Sequence, residues 1–132
     1  MLLIVMILFA SLAYANERIE VELVRVVDGD TIIVNISGWP DIVGYEIGVR
    51  VAGCDTPELR DKRYDIKAKA YQAKETLTLL LSTARCVELR NIERGKYFRL
   101  VADVIADGAN VASILIDSGL AHPYDGGKRP AW

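Results

Sequence analysis

The spacing of apolar and polar positions divides the chain into segments of different period. Ile19, Val21 and Leu23 alternate with charged residues, and a second apolar run at 31–36 follows the tight Asp28-Gly29-Asp30 turn. A period of two on both sides of an Asp/Gly turn predicts a β-hairpin or bent strand pair. A third strand is expected at 47–53, and the neighbourhood of Trp39-Pro40 reads as loop. Over 65–84 the period changes. Ile66, Ala70, Ala73, Leu77, Leu80 and Leu81 share one face while Lys67, Lys74 and Thr78 lie elsewhere, which predicts an amphipathic helix. Strand character returns at 86–91 and 99–106. Asn110 then stands where it can N-cap a short helix that Gly119 ends in a left-handed turn. Three strands, a helix, two strands and a helix, with no internal repeat, predict a mainly β, α+β fold. Its form is a five-stranded OB-type β-barrel with a helix inserted after strand 3 and a short helix after strand 5.

The first fifteen residues fall outside this pattern. Residues 1–15 carry no charge and all but Ser11 are hydrophobic. The run is shorter than the ~20 residues that span a bilayer, and Ala13-Tyr14-Ala15 supplies a small-x-small cleavage pattern. We read 1–15 as a signal peptide and 16–132 as a single domain, so the mature protein is expected to be exported, periplasmic or secreted. No Lys or Arg precedes the apolar run, and an uncleaved anchor or a buried segment is the alternative reading. Export would put Cys54 and Cys86 in an oxidising compartment, where a single bridge and two buried thiols are both open.

With 132 residues, 26% of them charged, and only two cysteines, the chain is neither a polytopic membrane protein nor a disulfide-dense scaffold nor a low-complexity sequence. The net charge of −2 conceals a split: residues 16–59 sum to −6, residues 60–99 to +6 and residues 100–132 to −2. Charge counts alone fit an ordinary salt-bridged surface. Two motifs sharpen the picture. One is Val27-Asp28-Gly29-Asp30-Thr31 at the predicted turn; the other runs from Arg50 through Cys54-Asp55-Thr56-Pro57-Glu58 where a strand ends. A hard divalent cation needs oxygen ligands, which Asp30, Asp55 and the Thr56 carbonyl can supply with water completing the shell. Glu58, three residues beyond Asp55, is placed to hold or deprotonate a water near that cation. Arg50, on the preceding strand, can clamp a phosphate in a bidentate fork. Taken singly, an Asp-Gly-Asp turn is most often only a turn and Thr-Pro-Glu most often starts a helix. Their combination is far more specific.

The segments VVDGDTIIV (26–34) and RVAGCDTPE (50–58), followed by KYFR (96–99), ADG (106–108) and SGLA (118–121), are similar in order and spacing to the staphylococcal nuclease, or thermonuclease, family. The resemblance covers about residues 19–125. It implies that Asp30, Asp55 and the Thr56 carbonyl are Ca²⁺ ligands, with Asp28 an outer carboxylate beside them. It implies that Glu58 acts on the attacking water, and that Arg50 and Arg99 are catalytic arginines binding the scissile phosphate. Lys96 and Tyr97 would contact a nucleotide phosphate. The implied reaction is Ca²⁺-dependent hydrolysis of DNA and RNA to 3′-phosphorylated products, by a monomer with no stable membrane association after signal cleavage.

The chain departs from the family pattern in three places. Phe98 stands where a glycine is usual before Arg99. The tyrosine pair beside the nucleotide base is not reproduced; Asp125 and Gly127 fall there, leaving Tyr124 or His122 to substitute or Tyr124 simply to pack. His122, the sole histidine, reads as a surface residue at a loop end rather than a general base. The family's long C-terminal helix has no counterpart, and 126–132 is expected to fold back on the barrel or contact substrate. The rival function is a catalytically inactive OB-fold module that binds nucleic acid or protein. The presence of Asp30, Arg50, Asp55, Glu58 and Arg99 together argues against it. A second rival, an oligosaccharide-binding or cell-envelope protein on the same barrel, would need exposed aromatic platforms; at 8% aromatic, no cluster of them is apparent.

Overall fold

The computed structural model describes residues 17–132. Residues 1–15, read as a signal peptide, lie outside the described residues. Strands β1 (Arg18–Asp28) and β2 (Thr31–Asn35) form the expected hairpin, closed where Asp28 pairs with Thr31. β1 is bent by register shifts between Leu23 and Arg25 and between Val26 and Asp28, so one long strand serves two neighbours: its first half pairs with β5 and its second with β2. Trp39 and Pro40 are non-helical, as expected of a loop, and a one-turn helix α1 (Asp41–Gly44) begins directly after them.

Strand β3 (Ile47–Val51) pairs antiparallel with β2. The single strand expected at 47–53 is in fact two, because the chain breaks after Val51 and restarts as β4 (Gly53–Asp55). Gly53 has φ +88°, a left-handed conformation that glycine adopts without a Cβ penalty. Helix α2 (Tyr64–Ser82) follows and buries Ala70, Ala73, Leu77 and Leu81 of the expected face, with Ile66 and Leu80 half-buried. Strands β5 (Val87–Arg94) and β6 (Leu100–Ala106) complete the barrel. The sheet order is β3-β2-β1-β5-β6, and a parallel pairing of β3 with β6 closes it into five strands without a free edge.

A two-residue strand β7 (Ala109–Asn110) leads into helix α3 (Val111–Asp117). Asn110 caps α3 as expected: its side-chain oxygen accepts from Ala112 N–H at 2.9 Å and Ser113 N–H at 3.4 Å. Gly119, at φ +74°, ends it, and Leu120 N–H returns to the Leu115 carbonyl. The last strand, β8 (His122–Tyr124), pairs with β4, so that Asp55 faces His122 and Gly53 faces Tyr124. The core is one cluster: Ile32, Val34, Val49, Val51 and Leu89 from the barrel wall, Leu77 from α2 and Leu115 from α3. Helix α3 packs on β4 and β6, and α2 packs on β1 and α3, so the helices back the β1–β2 turn and the chain around β4 that carry the two motifs.

Candidate active site

The Asp28–Asp30 turn is held against helix α2 by a close approach that only glycine permits. A Cβ on Gly29 would stand 2.7 Å from Thr56 Oγ1 and 2.8 Å from the Ala73 Cβ. The turn therefore touches the 55–58 loop directly. Thr56 N–H donates to Asp30 Oδ2 at 3.0 Å, and Val51 N–H donates to the Asp30 carbonyl at 2.8 Å. Asp30, Asp55 and Thr56 are the buried polar residues of the described chain, with Asp55 at 0% exposure. Buried carboxylates need partners of opposite charge or hydrogen-bond donors.

Arg50 supplies part of that compensation. Its register opposite Thr31 places it beside the turn. One guanidinium nitrogen lies 3.0 Å from Asp30 Oδ2 and the other 3.4 Å from Asp55 Oδ1, the latter also donating to the Cys54 carbonyl. The guanidinium sits 5.3 Å from the centre of the Tyr124 ring. Tyr124 thus packs against the arginine, and its hydroxyl donates to the Gly127 carbonyl.

Asp28 supports the turn by accepting from Asp30 N–H at 3.0 Å. Burial, reinforced by the neighbouring Asp30 charge, lifts the Asp28 carboxyl to about 6. This fits an outer carboxylate. Cys54 is wholly buried beside these groups, and burial first, then the Asp30 charge, pushes its thiol up to about 12. Cys86 is half-buried; both cysteines are free thiols.

Arg99 begins the run into β6, where the parallel pairing sets Leu100 opposite Val49 and Val101 opposite Arg50. A Cβ on Gly48 would lie 3.4 Å from the Arg99 Cβ, so the chain keeps Arg99 next to the strand that bears Arg50. Its Nε is buried with no hydrogen-bond partner among the described residues. An unpaired buried donor on a guanidinium is suited to an anionic oxygen. Lys96 and Tyr97 behave differently. Both are exposed on the β5–β6 loop and make no hydrogen bond or ion pair with the carboxylates among the described residues. Tyr97 and Phe98 both have positive φ, and the Phe98 ring is 68% exposed. The site therefore gathers Asp28, Asp30, Arg50, Asp55, Thr56 and Glu58, sets Arg99 at the entry to the adjoining strand β6, and leaves Lys96 and Tyr97 outside.

One residue enters that no motif announced. Arg129 Nε donates to Asp55 Oδ1 at 2.8 Å, one terminal nitrogen to Glu58 Oε1 at 2.5 Å, and the other to the Thr56 carbonyl at 3.5 Å. Hydrogen bonding to Glu58, and then to Asp55, holds its guanidinium above the ordinary arginine value. Trp132 Nε1 donates to the other Asp55 oxygen at 3.1 Å, and its ring stacks on His122 with centroids 3.7 Å apart. His122 is thus a strand residue facing Asp55 and covered by an indole, rather than a loop-end surface residue. The expected fold-back of 126–132 is present, and it ends in the carboxylate site. Its only advance signal was the pairing of a cation and an aromatic in a Gly-rich stretch.

No three His, Cys, Asp or Glu side chains among the described residues cluster into a metal cage. The donor set is instead two buried carboxylates that share one guanidinium, with a carbonyl beside them. These are hard oxygens, and they fit a Ca²⁺-like cation that takes the rest of its shell from water.

An OB-type barrel in which the β1–β2 turn, the end of β3 and the loop after β4 bring together two buried aspartates, an arginine and a glutamate defines the class. The chain belongs to the staphylococcal nuclease family: the family model described as "Staphylococcal nuclease homologue" matches residues 48–130. It is 34% identical over 108 residues to the SPbeta prophage-derived endonuclease YokF of Bacillus subtilis (strain 168), across 80% of this chain and 34% of YokF. It is 32% identical over 108 residues to endonuclease YncB of the same strain, across 80% of this chain and 48% of YncB. The chain spans a third to a half of the length of these curated relatives. The family match begins at Gly48, after the Asp28–Asp30 turn; pairing of β2 with β3 brings that turn into the matched region.

Proposed function

We propose that this chain is a Ca²⁺-dependent nuclease that hydrolyses DNA and RNA phosphodiesters to 3′-phosphorylated products. It acts as a monomer and is exported through residues 1–15. The observation that carries the reading is the convergence of Asp30 and Asp55 on the Arg50 guanidinium, with the Thr56 carbonyl and Glu58 adjoining. The endonuclease names of YokF and YncB support the reaction class.

Asp30, Asp55 and the Thr56 carbonyl would hold the cation, which when bound polarises a phosphoryl oxygen and makes water easier to deprotonate. Glu58 takes the proton from the attacking water, and its position on a half-exposed loop lets it reach solvent. Arg50 and Arg99 donate to the equatorial phosphate oxygens as charge builds on them. Because Arg50 stands on β3 and Arg99 immediately precedes β6, little reorganisation is needed at the moment of reaction. Arg99 Nε gains there the partner it otherwise lacks. Burial of Asp55 and Thr56 keeps the ligand oxygens in a low-dielectric pocket that strengthens these interactions.

The test is cleavage of plasmid and of single-stranded DNA and RNA by the purified chain, with Ca²⁺ or with chelator, beside a Glu58→Gln variant. Ca²⁺-dependent cleavage, lost in the variant and leaving 3′-phosphate ends, is expected. No cleavage by the parent, or equal cleavage by the variant, overturns the reading in favour of a binding module.

A further inference from the structure

The groups proposed to bind the cation are already engaged by the chain's own residues. Arg129 and Trp132 between them cap both oxygens of Asp55, and Arg129 also takes Glu58 and reaches the Thr56 carbonyl. A divalent cation coordinated to Asp55 at about 2.3–2.6 Å would meet a guanidinium of like charge on the same oxygens. We propose that residues 125–132 form an intramolecular plug that competes with the divalent cation, so that cation binding and plug docking exclude each other. The inference rests on the cation-dependent reading of the site.

Two arginines touch Asp55, and their anchoring separates their roles. Arg50 is 13% exposed, stands on a paired strand, and is tied further to the Cys54 carbonyl and the Tyr124 ring. Arg129 is 46% exposed, and no backbone–backbone hydrogen bond ties 125–132 to the barrel among the described residues. Arg50 belongs to the site's frame, and Arg129 is a removable counter-ion. In its docked position it neutralises carboxylates that would otherwise repel one another. The plug is seated by groups outside the cation site: His122 stacks on the Trp132 ring, Lys69 Nζ lies 5.6 Å from the ring centre, and Arg63 donates to the Trp132 main-chain oxygen. Docking also engages Glu58, the proposed base. The docked state is therefore inactive on two counts: it withholds both the cation ligands and the base.

A plug docked nine-tenths of the time weakens apparent cation affinity about tenfold, since only the open fraction binds. The test is titration calorimetry with Ca²⁺ alone on the parent, on Arg129→Gln and on Trp132→Leu. Trp132 emission is followed in a Trp39→Phe chain, where it is the remaining tryptophan. Expected results are a Kd for Ca²⁺ about fivefold or more tighter in both plug variants, and a red shift of Trp132 emission with Ca²⁺ that Asp55→Asn abolishes. Half-maximal cleavage should move to correspondingly lower Ca²⁺. Equal or weaker Ca²⁺ binding by both variants, or Trp132 emission unmoved at saturating Ca²⁺, overturns the plug while the cation site stands. Absence of Ca²⁺ binding to every chain brings down both proposals.

Discussion

Asp30 and Thr56, twenty-six residues apart, are joined by a hydrogen bond from main chain to side chain: the Thr56 N–H donates to Asp30 Oδ2 at 3.0 Å. That contact welds the β1–β2 turn to the loop after β4. One carboxylate oxygen receives it together with the Arg50 guanidinium, so the position of each motif depends on the other. The site has no separate halves.

Gly29 sets that approach. Gly29→Ala would push its Cβ into Thr56 Oγ1 and Ala73, backbone-anchored groups on the loop and the helix. We expect a loss of stability of about 1–3 kcal/mol and weaker Ca²⁺ binding, read by denaturant unfolding and calorimetry. Unchanged values of both would show that the turn can move away from α2 at no cost.

The two proposed catalytic arginines should not be replaceable by lysine. Removing one preorganised donor to a developing oxyanion costs about 10²–10³ in rate, and an ammonium lacks the planar fork. Arg50→Lys and Arg99→Lys are each expected to lose most of this factor in kcat for DNA cleavage. Arg50→Lys should also be the less stable of the two, because Arg50 bridges two buried carboxylates whereas Arg99 Nε is unpaired. Near-parental turnover by Arg99→Lys would refute its role.

Thiol chemistry provides a test of packing independent of activity. Cys54 is fully buried with its thiol pushed up to about 12, and thiolate is the reacting form. At pH 8 the folded protein should label Cys54 with iodoacetamide far more slowly than it does in denaturant, where both cysteines should label to completion without prior reduction. Mass spectrometry of the alkylated chain reads both. A mass two hydrogens short before labelling would indicate a bridge.

Helix α3 packs on β4 and β6, and its Leu115 is fully buried in the core. Leu115→Ala should cost about 2–5 kcal/mol from lost burial and a residual cavity. Asn110→Ala, which removes the N-cap oxygen, should cost about 1 kcal/mol. Urea unfolding of the two variants gives the ranking, and reversal of that ranking would contradict this packing.

Local pattern was enough for much of the molecule. Period-two alternation around Asp28-Gly29-Asp30, the apolar face from Ile66 to Leu81, and the Asn110 and Gly119 signals mark elements whose causes are local: strand pleat, helical repeat and capping. The motif at 50–58, with the turn at 28–30, also put the carboxylates and Arg50 forward as one constellation, and the folded chain sets Asp30 and Asp55 on either side of the Arg50 guanidinium. The local pattern erred at 47–53, where a left-handed Gly53 splits one expected strand in two.

Tertiary structure alone decided the rest, because it depends on pairings between residues far apart in the chain. The parallel β3–β6 ladder that brings Arg99 beside the Arg50 strand has no sequence period to announce it. Nor does the exposed position of Lys96 and Tyr97, which a short loop with left-handed residues sets. Arg129 lies 74 residues from Asp55, and its place in the site follows from charge attraction between groups that only the folded chain brings together. Buried carboxylates demand a positive partner wherever the folded chain can deliver one. The sequence specified which residues carry charge and which turn; the closed barrel determined which charges meet.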